Sequence, residues 1–387
     1  MKLAIAKESV AGETRVAATA ATVKEFVKAS WQVAVEVGAG EASFISDADY
    51  QQAGATVEPD PAALWAQADV ILKVQGPVAR PGGFDELAAL HSGQVLICLL
   101  DPVGNPQRIE RLAALGVSAF AMERVPRITR AQSMDVLSSM STLAGYKAVL
   151  LAADTLAKMA PMMMTAAGTI TPAACMVIGA GVAGLQAVAT ARRLGATVRA
   201  VDTRPAAKEQ VESLGARFVH LEVAGHKAEL ETGYARDLGE AFYAHEQEVL
   251  APHVKECDIV ITTALIPNRR APLLITEAMV ATMRKGSVIV DLAVSAGGNC
   301  TLSKADQRVV AHGVTVLAPT NLPALLPVHA SQMYARNVAN FLRELAPDGK
   351  VNVDLNNEIL RPMLVAHGGH VLPVPEAKPI YHKAGVS

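Results

Sequence analysis

The stretch Ala174-Cys175-Met176-Val177-Ile178-Gly179-Ala180-Gly181-Val182-Ala183-Gly184-Leu185 decides the fold. An apolar run suited to one buried strand ends in Gly-x-Gly-x-x-Gly, and a helical pattern, Leu185–Leu194, follows at once. In this context Gly179 permits the tight turn, Gly181 lets the backbone approach a pyrophosphate, and Gly184 allows close helix–sheet packing. The helix N-terminus then offers free N–H groups and a positive dipole end to a phosphate. The next apolar run, Val198-Arg199-Ala200-Val201, ends at Asp202. An acid there accepts hydrogen bonds from the ribose hydroxyls of an adenosine. Asp202 would also repel a 2′-phosphate, which favours NAD(H) over NADP(H). Arg204 reads either as a partner for such a phosphate or as a solvated loop charge. The earlier Gly38-Ala39-Gly40-Glu41 lacks a third glycine at the right spacing and reads as a turn.

The same alternation extends in both directions. Leu3–Ala6, Gln32–Val37, Asp69–Val74, Gln94–Leu99 and Ala119–Met122 read as strands, with helices at Ala21–Ala29 and Asp85–Ala89. A long helix is expected from Ala131 to about Met159. Further strands are Ala174–Gly179, Thr197–Asp202, Arg217–Leu221, Cys257–Thr263, Ser287–Leu292 and Val314–Ala318. Strands alternating with helices imply parallel sheets. The fold class is α/β, with two Rossmann-like domains joined by long helices around an interdomain cleft. Residues 1–130 with 330–387 form the first, discontinuous domain, and residues 131–329 form the dinucleotide domain. The polar segment Ala224–Val249 reads as an exposed insertion and a mobile loop. A helix over Ser331–Leu345 and a short hairpin near Gly368-Gly369 complete the chain.

Composition limits the functions available. Of 387 residues 51% are apolar and only 4% aromatic, and the net charge is −2. That balance suits buried parallel strands and disfavours a nucleic acid or an anionic membrane surface as partner. Cys98, Cys175, Cys257 and Cys300 are far apart and read as buried free thiols, with no metal site. The polar turn after Ala6 is not a secretory signal. The apolar stretches are interrupted before the roughly 20 residues of a membrane span.

The segment Arg127-Ile128-Thr129-Arg130-Ala131-Gln132-Ser133-Met134-Asp135-Val136-Leu137-Ser138-Ser139 opens the long helix. Gln132, Asp135 and Ser139 share one helical face by spacing, with Arg127 just before. Two readings stand: N-capping by an acid, or a cleft wall that hydrogen-bonds a nicotinamide and its ribose.

That segment, Leu143–Tyr146, Pro161–Thr169, the glycine loop, Lys208–Gly215, Thr262–Pro267, Asp291–Val294, Gly297–Asn299 and Thr320–Pro323 together resemble, in order, the alpha subunit of the proton-translocating transhydrogenases. Ser295 departs from that pattern, where an acid is expected. The resemblance implies an NAD(H)-binding subunit that passes hydride directly to NADP⁺ on a partner, and that is active only with its partners. Arg127, Gln132, Asp135 and Ser138 would line the nicotinamide end, as the catalytic set. Gly179, Gly181 and Val182 would hold the pyrophosphate. Asp202, Thr203 and Arg204 would contact the adenosine side, with Ala264 and Leu265 near the adenine. Gly233 and Tyr234 would close on bound nucleotide. The implied partners are a second copy of the chain, an NADP(H)-binding beta subunit and a membrane subunit that carries the protons. Its place would be cytoplasmic, peripheral to the inner membrane.

Alanine dehydrogenase is similar in the same fold, and Lys7, Arg15 and Lys73 resemble its substrate pocket. Amino-acid oxidation needs an acid–base group near the reacting carbon. The histidine of that family would fall in Val95–Leu100, which contains none. Those three cations would then serve as structural ion pairs. A non-catalytic NAD(H) sensor is the remaining alternative.

Overall fold

The computed structural model describes residues 1–221, 239–266 and 269–373. The chain divides into two compact units, Met1–Met140 with Ala324–Ser387, and Ser141–Pro323. Six strands come first: β1 (Lys2–Ile5), β2 (Gln32–Glu36), β3 (Thr56–Glu58), β4 (Val70–Gln75), β5 (Val95–Leu99) and β6 (Ser118–Ala121). A hairpin of β7 (Met163–Thr165) and β8 (Gly168–Ile170) precedes β9 (Ala174–Ile178), β10 (Thr197–Val201) and β11 (Arg217–Val219). Then come β12 (Ile259–Thr262), β13 (Val288–Asp291), β14 (Arg308–Ala311), β15 (Val314–Leu317), β16 (Leu364–His367) and β17 (His370–Val371).

The first unit's sheet has the order β17-β16-β6-β5-β4-β1-β2-β3, and the second unit's β11-β10-β9-β12-β13-β15-β14. Within these two sheets pairing is parallel except for β14–β15, β6–β16 and β16–β17, which are antiparallel. Each sheet is thus a Rossmann-like doubly wound sheet, as the sequence pattern implies. Strand order reverses between β1 and β4 in one and between β9 and β12 in the other. Ligands of such sheets bind outside the carboxyl ends of the strands at that reversal.

The apolar runs have no polar alternation because both faces of the sheet are covered. In the second unit Cys175, Val177, Ile259, Ile261, Val288 and Val290 face one core with Ala187, Val188 and Ala191 of the helix Val182–Arg193. The intervening Met176, Ile178, Val260 and Ile289 face the other core with Leu250, Val254, Met279 and Val280. All four cysteines are buried and free.

Three local expectations need correction. Asp85–Ala89 is a turn, held by Ala89 N–H to Asp85 O at 3.0 Å, with Asp85 Oδ1 accepting from Leu87 and Ala88 N–H. The long helix is shorter and broken: a 3₁₀ stretch, Thr129–Met134, precedes an α-helix over Val136–Thr155. The second half of the supposed insertion is the helix Glu240–Lys255, while 222–238, including Gly233 and Tyr234, lies outside the described residues. Strands β3, β7, β8 and β14, three or four residues each, carry too little pattern to be read. The helix Val136–Thr155 has the length and hydropathy of a membrane span. Its Ala148, Val149 and Ala152 are nevertheless spent in the second unit's core.

Candidate nucleotide site

The glycine loop lies at the strand-order reversal of the second sheet, between the carboxyl ends of β9 and β12. Gly179 has φ +93°, which a side chain would strain, and a Cβ there would come 2.6 Å from Thr263 Oγ1. A Cβ on Gly184 would sit 1.8 Å from Gly179 O, so the helix can approach the strand only without one. Gly181 differs: a Cβ there meets nothing within 4 Å. It is the N-cap of Val182–Arg193, and no side chain caps that helix end. Packing therefore demands glycine at 179 and 184. At 181 the glycine leaves open space beside an uncapped helix N-terminus, an arrangement suited to an anion.

Asp202, one residue past β10, is held from both sides. Its Oδ2 accepts from Ala180 N–H at 2.7 Å, tying the strand end to the loop. Its Oδ1 accepts from Arg204 N–H at 2.8 Å and Arg204 Nε at 2.9 Å, and Arg204 Nη2 reaches Oδ2 at 2.8 Å. The solvated-charge reading of Arg204 is thereby corrected. Its guanidinium forks Asp202 and is only 19% exposed. Thr203 between them is half-buried.

Across the reversal, Thr263 Oγ1 donates to Gly179 O at 3.0 Å. Asn299 clamps the next residue: its Oδ1 accepts from Ala264 N–H at 3.0 Å and its Nδ2 donates to Ala264 O at 2.9 Å. Fully buried Asp291 in turn accepts from Thr262 Oγ1, Ala293 N–H, Asn299 N–H, Cys300 N–H and Ser303 Oγ. Five donors converging on one carboxylate fix the Gly297–Asn299 turn and, through it, Ala264 and Leu265. Leu265 and Val182 are large apolar side chains left 48% and 41% exposed beside the loop. They offer flat apolar surface suited to a base. The positioning roles of Thr263, Asp291 and Asn299 escaped the sequence reading, although their motifs did not. Ser295 is exposed in the turn Val294–Ala296, and nothing in the structure explains it.

The polar helix start belongs to the first unit. Asp135 ends the 3₁₀ stretch and caps the following helix, accepting from Ser138 N–H at 2.9 Å and Ser138 Oγ at 2.6 Å. Gln132, in the 3₁₀ stretch, and Asp135 therefore do not share an α-helical face. Gln132 and Arg127 are exposed. The Gln132 side chain makes no hydrogen bond among the described residues.

The reversal point of the first sheet is filled differently. Arg15 forks Glu13 at 2.7 and 2.6 Å. Lys73 Nζ lies 2.9 Å from Glu86 and 3.6 Å from Glu8, all three essentially buried. Arg80 joins Glu86 at 2.6 Å and also pairs with Glu36. Lys7, more exposed, is 3.8 Å from Glu41. The buried carboxylates outnumber the buried cations: Glu8, Glu13, Glu36 and Glu86 against Arg15, Lys73 and Arg80. Burial raises the Glu13 carboxyl, but Arg15 outweighs it and holds Glu13 below its usual range. Burial pushes Glu8 up to about 7, against Lys73 and the Val74 N–H.

Glu8 thus binds its proton more tightly folded than unfolded. That contribution to stability is complete below the unfolded value near 4.5 and is lost as pH rises through about 7. Wild type should melt at a lower temperature at pH 8 than at pH 5.5, and Glu8→Gln should flatten that slope. An unchanged slope in a calorimetric pH series would refute the assignment.

Two family models match consecutive parts of the chain. Residues 4–144 match the model "Alanine dehydrogenase/PNT, N-terminal domain", and residues 148–373 match "Alanine dehydrogenase/PNT, C-terminal domain". An NAD(P) transhydrogenase subunit alpha polypeptide of Rhodospirillum rubrum is 50% identical, over 88% of this chain and 89% of its own. The crystal structure of a transhydrogenase from Sinorhizobium meliloti aligns with a TM-score of 0.86 at 44% identity, over 96% of this chain and 100% of that one. The alanine dehydrogenase of Halomonas elongata is more distant, at 32% identity over 90% of this chain and 88% of its own.

Proposed function

Because the chain belongs to the alanine dehydrogenase/PNT family and is 50% identical to a transhydrogenase alpha subunit polypeptide, against 32% for an alanine dehydrogenase, we propose that it is the NAD(H)-binding subunit of a proton-translocating transhydrogenase. It would pass hydride directly between NADH and NADP⁺ held on a partner subunit. Proton translocation is assigned to membrane-spanning partners. This places the chain on the cytoplasmic side, peripheral to that membrane.

One contrast supports the reading most. The second sheet's reversal point offers an open glycine and an uncapped helix end, while the first sheet's is neutralised by the protein's own carboxylates. An amino-acid substrate would need Arg15 and Lys73 to bind its carboxylate, and both are committed. Val95–Leu100 also lacks a histidine to take the proton.

The bound dihydronicotinamide supplies the hydride, so the chain's residues need only bind, orient and exclude water. Gly179, Gly181, Val182 and Gly184 present the helix N-terminus to the pyrophosphate. Asp202, Thr203 and Arg204 hold the adenosine ribose, and Ala264 and Leu265 flank the adenine. Arg127, Gln132, Asp135 and Ser138 orient the nicotinamide end. Hydride transfer needs the reacting carbons within about 3–3.5 Å, so orientation is the whole of the chain's catalytic task. NADH should bind more tightly than NADPH by titration calorimetry, and alanine with NAD⁺ should give no turnover. Steady alanine oxidation would replace this reading with that of a dehydrogenase.

A homodimer belongs to the same proposal, supported by the β7–β8 hairpin. Met162, Met164 and Ile170 stand 62%, 74% and 40% exposed there, an unusual cost for a free surface. Sedimentation should give the mass of two chains, and Met164→Glu should shift it towards one. A mass of one chain in the wild type would remove the dimer.

A further inference from the structure

We propose that Glu246 is a second carboxyl of the adenosine subsite, and that its ionisation sharpens the rejection of a 2′-phosphate. The inference rests on the reading of the Asp202 end as that subsite.

Glu246 is on the helix Glu240–Lys255, which leads into β12. A helix feeding a parallel strand runs against it, so its N-terminal turns lie at the carboxyl ends of the strands. Glu246, Leu250 and Val254 follow at four-residue steps and share one face. Leu250 and Val254 are fully buried in one core with Val201, the residue before Asp202. Glu246, one turn nearer the strand ends, lies on the same face at the end of β10 that carries Asp202, near enough for the two carboxyls to interact, and it is 4% exposed. Its carboxyl has no hydrogen-bond partner among the described residues.

Among the described residues, neighbouring charges are engaged elsewhere. On its own helix His245 pairs with Glu248. On β10 Arg199 pairs with Glu256, beside His253. At the adjoining helix Glu277–Thr282, Glu277 pairs with His312. Beyond β11, His220 packs on Phe218. Asp202 itself is neutralised by the Arg204 fork. Among the described residues, Glu246 is then the group whose ionisation gives the subsite a net negative charge. Burial first, and Asp202 second, push it up to about 7, so the charge appears in the physiological range.

A ribose 2′-hydroxyl is indifferent to that charge, whereas a 2′-phosphate is repelled. Equilibrium titrations of the full chain with NADH and with NADPH, from about pH 6 to about pH 8.5 at fixed ionic strength, read this directly. The ratio of the two dissociation constants should widen about fivefold in the wild type as a carboxylate forms beside the phosphate. In Glu246→Gln only the part due to the phosphate's own titration should remain. Glu246→Met, which fills the same space without a titrating group, should behave like the glutamine variant and serves if that one folds poorly. Equal slopes in wild type and variant would overturn the proposal while leaving the nucleotide site in place. Absence of NADH binding at every pH would overturn the subsite reading and the proposal together.

Discussion

Gln132→Asn is expected to lower hydride transfer to partner-bound NADP⁺ about hundredfold while leaving NADH affinity nearly unchanged. Gln132 is exposed in the 3₁₀ stretch Thr129–Met134, and its amide is tied to nothing among the described residues. Shortening it costs no internal hydrogen bond, so the fold should be indifferent. The contacts that anchor the nucleotide in the proposed site, at Gly181 and Asp202, lie in another part of the sequence and are not altered. The loss should fall on orientation, where a displacement near 1 Å costs on the order of a hundredfold. A fall in rate without a fall in affinity marks an interaction made on the way to the transition state. Stopped-flow transfer and equilibrium NADH binding on the same variant separate the outcomes. If both fall together, Gln132 is an ordinary binding contact. If neither moves, the segment does no more than lead into the Asp135 cap.

The glycine loop gives the second large effect, and its two halves should fail differently. Gly184→Ala places a carbon 1.8 Å from Gly179 O, so helix and strand must separate. Overpacking of this kind costs typically about 1–3 kcal/mol and should lower the melting temperature as well as the affinity. Gly181→Ala meets nothing within 4 Å, so stability should be unchanged. Its methyl would stand where the pyrophosphate approaches, and NADH affinity should fall about tenfold or more, a loss of at least ~1.4 kcal/mol. Thermal unfolding beside calorimetric titration tests the pair. Normal NADH affinity in Gly181→Ala would show that the phosphate does not approach there.

What the sequence made legible was what short-range constraints determine. The strand, the turn at Gly179, the helix start and Asp202 follow one another within a single βαβ unit. The two sheets were readable because buried parallel strands leave uninterrupted apolar runs, such as Ala174–Ile178 and Ile259–Thr262. The helix opening departs from its sequence pattern because three- and four-residue spacings hardly differ over two turns. The 3₁₀ geometry of Thr129–Met134 moves Asp135 from a helix face to a cap. The helix Glu240–Lys255 was hidden by its polar composition and by Pro252 within it. The sequence does carry one signal there, Glu246 at four-residue steps from Leu250 and Val254, an acid on an apolar face. The Asp202–Arg204 fork could not be read at all. Two open possibilities for Arg204 were resolved only by the direction its side chain takes.

Hydride transfer tests the central claim most directly. The purified chain, loaded with an NAD analogue of distinct absorbance, is mixed with an NADP(H)-binding transhydrogenase partner subunit carrying NADPH. Reduction of the analogue should follow on mixing and should need both proteins. A chain that binds NADH tightly yet yields no reduction with the partner would be a nucleotide-binding protein of another kind, and the account would be wrong.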